Sequence, residues 1–121
     1  MPEMLRPEIE YWYVVPFIRK SIVKNLRLLG LPQKEIAFML NITPSAVSQY
    51  MHNKRAMIVE KECPEEAQKI NLFIEKKLGN RKDANLFVFQ VELLRELEKN
   101  DIICNVHKKI EHFDECGVSR F

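Results

Sequence analysis

The strongest constraint on the fold of this chain lies at residues 33–52, QKEIAFMLNITPSAVSQYMH, where apolar side chains recur at helical spacing on either side of one short break. Ile36 and Leu40 are four residues apart and Val47 and Tyr50 three apart, separations that put side chains on one face of a helix. Ile42 stands between the two sets, and Ala37 follows Ile36. Two short helices locked at a fixed angle need this pattern, with apolar residues on the facing sides and one small residue where the axes come closest. A side chain larger than Ala37 would push the helices apart.

Flanking residues mark the same boundaries. Gly30 suits the end of a preceding helix in a left-handed conformation, and Pro32 suits the first turn of the next. Asn41 is among the few residues other than glycine that tolerate positive φ in the turn. Thr43 offers a hydroxyl to cap free N–H groups, and Pro44 follows where a missing N–H costs nothing, so a second helix is expected from about Pro44. The unit is a helix-turn-helix with Ile36, Ala37, Leu40, Ile42, Val47 and Tyr50 as its core.

On the second helix Ser45, Ser48, Gln49 and His52 fall at i, i+3, i+4 and i+7 on the face away from that core. Gln49 is suited to a bidentate contact with an adenine edge, the serines to donating or accepting, and Ala46 and the Pro44 ring to packing on a thymine methyl. His52, Asn53, Lys54 and Arg55 follow at the helix end and are expected on phosphates, as is Gln33 at the start of the first helix. The plainer alternative is a helical hairpin whose serines and glutamine are only solvated.

The run LPQKEIAFMLNITPSAVSQYMHNKRA resembles the helix-turn-helix of the repressor and Cro-like superfamily, SAVSQY being typical of that group. Upstream, VVPFIRKSIVKNLRLLGLPQKEIA is similar to a family of small archaeal transcriptional regulators, with Val15, Pro16, Ile18 and Arg19 on its pattern. The similarity spans residues 11–57 and returns weakly at Ile103, Cys104 and His107. It implies base reading by Pro44, Ser45, Ser48 and Gln49, and phosphate contacts from Gln33, Thr43 and Asn53. Pro44 stands where the superfamily often has a polar residue.

The same resemblance implies paired thiols in the second half, for a metal or cluster. VELLRELEKNDIICNVH keeps Cys104 and His107 but has Val, Glu and Leu in place of the pair, so no cofactor is expected. Cys104, His107, His112 and Cys116 form the remaining soft-ligand set, C-x2-H-x4-H-x3-C, whose types suit zinc. No Gly or Pro breaks the helical spacing between these residues, and a partly buried cysteine with exposed histidines is the reading preferred here.

A length of 121 residues permits one modest core. Division into a DNA-binding segment, 1–60, with an aromatic N-terminal stretch, and a helical extension, 61–121, is expected. The seam falls at Arg55 to Pro64. The 19 basic residues nearly balance 17 acidic ones, so distribution says more than the net charge of +2. Arg19, Lys20, Lys24 and Arg27 along the first helix, with Lys54, Arg55 and Lys61, suggest one phosphate-facing side. No apolar run has membrane-spanning length, the N-terminus lacks the pattern of a signal peptide, and the few cysteines fit a reduced interior, so a cytoplasmic protein is expected.

In the second half, Pro64, Glu65 and Glu66 open a helix with Ile70, Leu72, Phe73, Ile74 and Leu78 before Gly79. A further helix runs from an Asp83 cap to about Lys99 and is apolar around much of its circumference. So much apolar surface suggests a partner subunit, and residues 64–100 are assigned to a homodimer interface. Tyr11, Trp12 and Tyr13 are expected to pack on this half or join the interface.

These expectations describe an all-α protein, a Cro/repressor-like helix-turn-helix bundle with a C-terminal helical extension. The function they favour is a sequence-specific regulator of transcription that binds double-stranded DNA as a homodimer on a short palindromic operator. A protein-interaction module, antitoxin-like or adaptor, that keeps the helix-turn-helix as scaffold is the alternative. An enzyme is not expected, because no nucleophile with its base, carboxylate pair or glycine-rich phosphate loop stands out.

Overall fold

Helix formation begins earlier than the prolines at positions 7 and 16 suggest. In the computed structural model, which describes residues 5–78 and 86–111, α1 (Arg6–Ile9) runs through a π-helical segment (Glu10–Val14) into α2 (Val15–Leu28). A proline inside an α-helix loses its own hydrogen bond and clashes with the carbonyl four residues back. Here the Val15 amide reaches back five residues to the Glu10 carbonyl, and this wider turn precedes Pro16 at the start of α2.

There follow α3 (Gln33–Leu40), α4 (Pro44–Met51), α5 (Ile58–Glu62), α6 (Pro64–Leu78), α7 (Leu86–Lys99) and α8 (Ile102–Glu111), with no strand among the described residues. The protein is all-α. The short α5 occupies the seam expected at Arg55 to Pro64, where no helical period is present in the sequence. Gly79 and Asp83 lie outside the described residues.

Three successive connections use one device. Gly30, Asn41 and Asn53 all have positive φ, at 92°, 55° and 55°. The amide of each bonds the carbonyl three residues back, and the next amide bonds the carbonyl five residues back: Leu31 to Leu26 at 3.2 Å, Ile42 to Ala37 at 3.0 Å, Lys54 to Gln49 at 2.8 Å. This is the Schellman arrangement, which satisfies the last carbonyls of a helix. Thr43 then caps α4, its hydroxyl oxygen accepting from the Ala46 N–H at 3.0 Å.

Among the described residues one buried cluster joins the first and second halves of the chain. It takes Phe17, Ile18, Ile22 and Leu26 from α2, the α3 and α4 core, Ile70 and Ile74 from α6, and Leu86, Phe89, Leu93 and Leu97 from α7. α2 packs on α3, α4 and α6, while α8 lies against α1, α5, α6 and α7. A boundary at residue 60/61 therefore falls inside one core. The premise of the dimer assignment also changes, because the apolar residues at 86, 89, 93 and 97 are covered by the chain itself. Val91 and Leu94 are half-buried, and in the 64–100 segment the large apolar side chains left exposed are Leu72 and Val88 among the described residues. The aromatic N-terminus departs from expectation too. Tyr13 packs on the core, but Tyr11 and Trp12 face solvent, edge to face with centroids 5.1 Å apart.

Charged groups tie the layers together. Lys109 of α8 holds the buried Glu66 of α6 by both carboxylate oxygens, at 2.6 and 2.9 Å, which raises the lysine pKa. Next to this pair, burial and the Glu66 charge push the Cys63 thiol up to about 11. Lys20 of α2, only 1% exposed, ion-pairs with Glu60 of α5 at 2.5 Å and points its ammonium at Met57 Sδ, 3.1 Å away. No helix among the described residues is long and apolar enough to cross a membrane.

Candidate nucleic-acid interface

α4 has one buried and one open side because its residues alternate in character with the helical period. Ala46, Val47 and Tyr50 are buried with Ile36, Ala37 and Leu40 of α3, and Ile42 packs half-buried against them. The small Ala37 and the left-handed Asn41 let the two helices meet at this corner. Ala46 is thereby withdrawn from the surface. A contact between its methyl and a thymine is ruled out by the same packing that fixes α4.

The residues assigned to base reading lie on the remaining side. Pro44 and Ser45 are exposed at the start of the helix, and Ser48 and Gln49 are half-buried one turn on. Pro44 has no N–H and no polar side-chain atom, so its contribution is restricted to apolar contact. Ser48 has a second task at the end of α4, where its carbonyl lies 2.8 Å from His52 Nδ1 and its hydroxyl 3.4 Å away. With Nδ1–H donating to that carbonyl, Nε2 of the neutral ring is an acceptor; a phosphate contact from His52 requires the protonated ring.

The residues assigned to phosphate fall into two groups. Thr43 accepts the cap bond but keeps its hydroxyl proton for an outside acceptor. Lys54 is exposed. Asn53 is the left-handed residue that stops α4, and its Oδ1 accepts from Lys24 Nζ of α2 at 2.7 Å. Arg55, exposed, lays its guanidinium over the Tyr50 ring, 5.6 Å from the centroid. Gln33 is half-buried with Nε2 3.5 Å from Met51 Sδ, so part of its donor capacity turns inward.

The basic stripe read along residues 19–27 does not survive as one surface. Lys20 is buried beneath α5 in its ion pair. Arg19 donates from Nε to Gln90 Oε1 at 3.4 Å, and Arg27 donates from Nη1 to the Leu31 carbonyl at 2.9 Å. Only Lys24 is bonded to the end of α4. Sequence spacing carries no information about which part of a helix face a later element covers, and Lys24 lies 29 residues from its partner.

The soft-ligand set is also rearranged. Cys104 and His107 are both buried on α8, contrary to the expectation of exposed histidines, because they share the α8 side that carries Ile103 and Val106 into the core. His112 and Cys116 lie outside the described residues. Among the described residues no three His, Cys, Asp or Glu side chains come together to hold a metal ion.

Ala56, between α4 and α5, has φ 61°. A left-handed residue with a Cβ costs about 1–2 kcal/mol, and glycine relieves this at a cost of about 0.5–1 kcal/mol in chain freedom. Ala56→Gly is therefore expected to stabilise the protein by about 0.5–1 kcal/mol in denaturant unfolding. A loss of stability would mean that residue 56 does not hold this conformation.

Compared with protein-family models, curated proteins and solved structures, the chain has no match.

Proposed function

We propose that the protein is a sequence-specific DNA-binding regulator of transcription in which α4 is the reader, acting as a homodimer on a short palindromic operator. The observation that carries this reading is the polarity of α4. Its inner side is locked into the core, its outer side offers Ser45, Ser48 and Gln49, and Lys24, Asn53, Lys54 and Arg55 gather at its C-terminal end. Groups that discriminate base edges are thus flanked by groups that neutralise phosphate, the division of labour of a groove-reading helix. A single eight-residue helix reaches few base pairs, and two related by a twofold axis span half-sites about 34 Å apart. In the 64–100 segment Leu72 and Val88 are, among the described residues, the exposed large apolar side chains available to such a pairing.

Selection from a pool of random duplexes at several salt concentrations tests the reading, with a palindromic motif as the expected product. Gln49→Ala is expected to weaken the selected site by about 1–3 kcal/mol while leaving random DNA unchanged. Lys54→Ala is expected to weaken both alike and to flatten the dependence of log K on log salt by about one. Equal losses from Gln49→Ala on both DNAs would remove the base-reading assignment.

A second reading, a helix-turn-helix scaffold used for protein interaction, draws on Phe38, which is 87% exposed on α3. A large apolar side chain open on the first helix of the motif suits a protein surface better than a phosphate backbone. Absence of any salt-dependent DNA affinity would favour this reading.

A further inference from the structure

We infer that the cleft between the N-terminal helical run and the α4–α5 loop is a binding site for a small planar aromatic anion. The cleft, about 370 Å³ in volume, is walled by Tyr11, Trp12, Tyr50, Arg19, Arg55 and Met57, among others. That volume lies in the range of small-ligand pockets.

Three independent observations point to this class of ligand. First, the rim leaves large apolar side chains in water: Tyr11 is 68% and Trp12 62% exposed, and Met57 and Ile58 are open beside them. Flat rings supply stacking area at little conformational cost, and a planar guest recovers it. Second, two lining residues are arginines and none is acidic. Arg55 lies over Tyr50, its guanidinium carbon 5.6 Å from the ring centroid, and its planar fork of donors suits a carboxylate or phosphate. The nearby Glu60 is engaged with the buried Lys20 and does not neutralise them. Third, the strained Ala56 lies in the wall. Backbone strain of this kind concentrates at ligand clamps. The cleft abuts Tyr50, the last buried residue of α4, but the inference stands whether or not α4 reads DNA.

Trp12 is the chain's single tryptophan and lines the cleft, so the protein carries its own reporter. The test titrates the full chain with phenylacetate and with AMP, and with their uncharged counterparts phenylacetamide and adenosine, following tryptophan emission. At least one acid is expected to give a saturable change, its neutral partner binding about tenfold more weakly. A response to phenylacetate alone assigns a carboxylate ligand, and a response to AMP alone a nucleotide. Arg55→Gln is expected to weaken the binding about tenfold with an unchanged melting curve, and Arg55→Lys, which keeps charge but loses the fork, to fall between. No saturable change with either acid, equal binding of acid and neutral partner, or full binding by both Arg55→Gln and Arg19→Gln would overturn the assignment. The comparison of acid with neutral partner uses the unaltered protein and does not depend on any variant folding.

Discussion

Phe89→Ala is expected to lower the unfolding free energy by about 3–5 kcal/mol, the cost of deleting a buried aromatic ring and leaving its cavity. Phe89 is 1% exposed on the side of α7 that carries Leu86, Leu93 and Leu97 into the common core. A domain of this size has about 5–15 kcal/mol in total, so the variant should be folded only marginally. Denaturant unfolding of both proteins measures the difference, and repetition over a wide range of protein concentration locates its origin. A ring covered by its own chain gives the same difference at every concentration. A ring covered by a second subunit gives a difference that shrinks as the protein is diluted, because dissociation then exposes the ring in the folded as well as the unfolded state. That outcome, or a loss below about 1 kcal/mol, would return α7 to a dimer interface.

Glu60→Ala and Lys20→Met should differ sharply although they remove the two halves of one ion pair. Removing Glu60 leaves the Lys20 ammonium enclosed, with Met57 Sδ as a weak acceptor. An uncompensated buried charge costs about 3–5 kcal/mol, and because the Glu60 side chain is 37% exposed the expected loss is smaller, about 2–3 kcal/mol. Lys20→Met instead fills the same channel with an unbranched apolar chain and leaves Glu60 able to turn to water. The expected change is within about 1 kcal/mol of zero, and stabilisation is the favoured sign. The double variant should resemble Lys20→Met, since the glutamate no longer has a charge to balance. Unfolding curves for the three proteins decide it. If Lys20→Met costs as much as Glu60→Ala, the pair contributes net stability rather than being tolerated.

The helix-turn-helix corner was legible because every signal in it is local. Ile36, Leu40, Val47 and Tyr50 report their face through spacing alone, Asn41 reports the turn through its tolerance of positive φ, and Thr43 and Pro44 report a helix start. The start of α6 at Pro64 followed from the same rules. Asn53 was less legible. Its role as the stop of α4 and acceptor for Lys24 depends on where α2 lies, and in sequence it resembled one more polar residue in a basic run. The five residues of α5 are too short for a period to be read, and its Val59 is buried by neighbours from distant parts of the chain.

Lys20 shows where local reasoning stops. Positions 20, 24 and 27 lie on one side of α2, and by charge alone they are equivalent. The fold separates them, since α5 closes over the first while the second reaches the end of α4.

What the sequence by itself determined is the inner side of the α3–α4 corner, its left-handed turn, the start of α4 and the apolar helical character of α6 and α7, because these depend on contacts within a few residues, where periodicity, capping and positive φ act. The tertiary structure alone decided that α7 is covered by its own chain, that Lys20 and His107 are interior, and that Arg19, Arg55, Tyr11 and Trp12 share one cleft. Each of these depends on which elements meet after the chain turns back on itself, and burial, unlike helical period, is a property of the partner as much as of the residue.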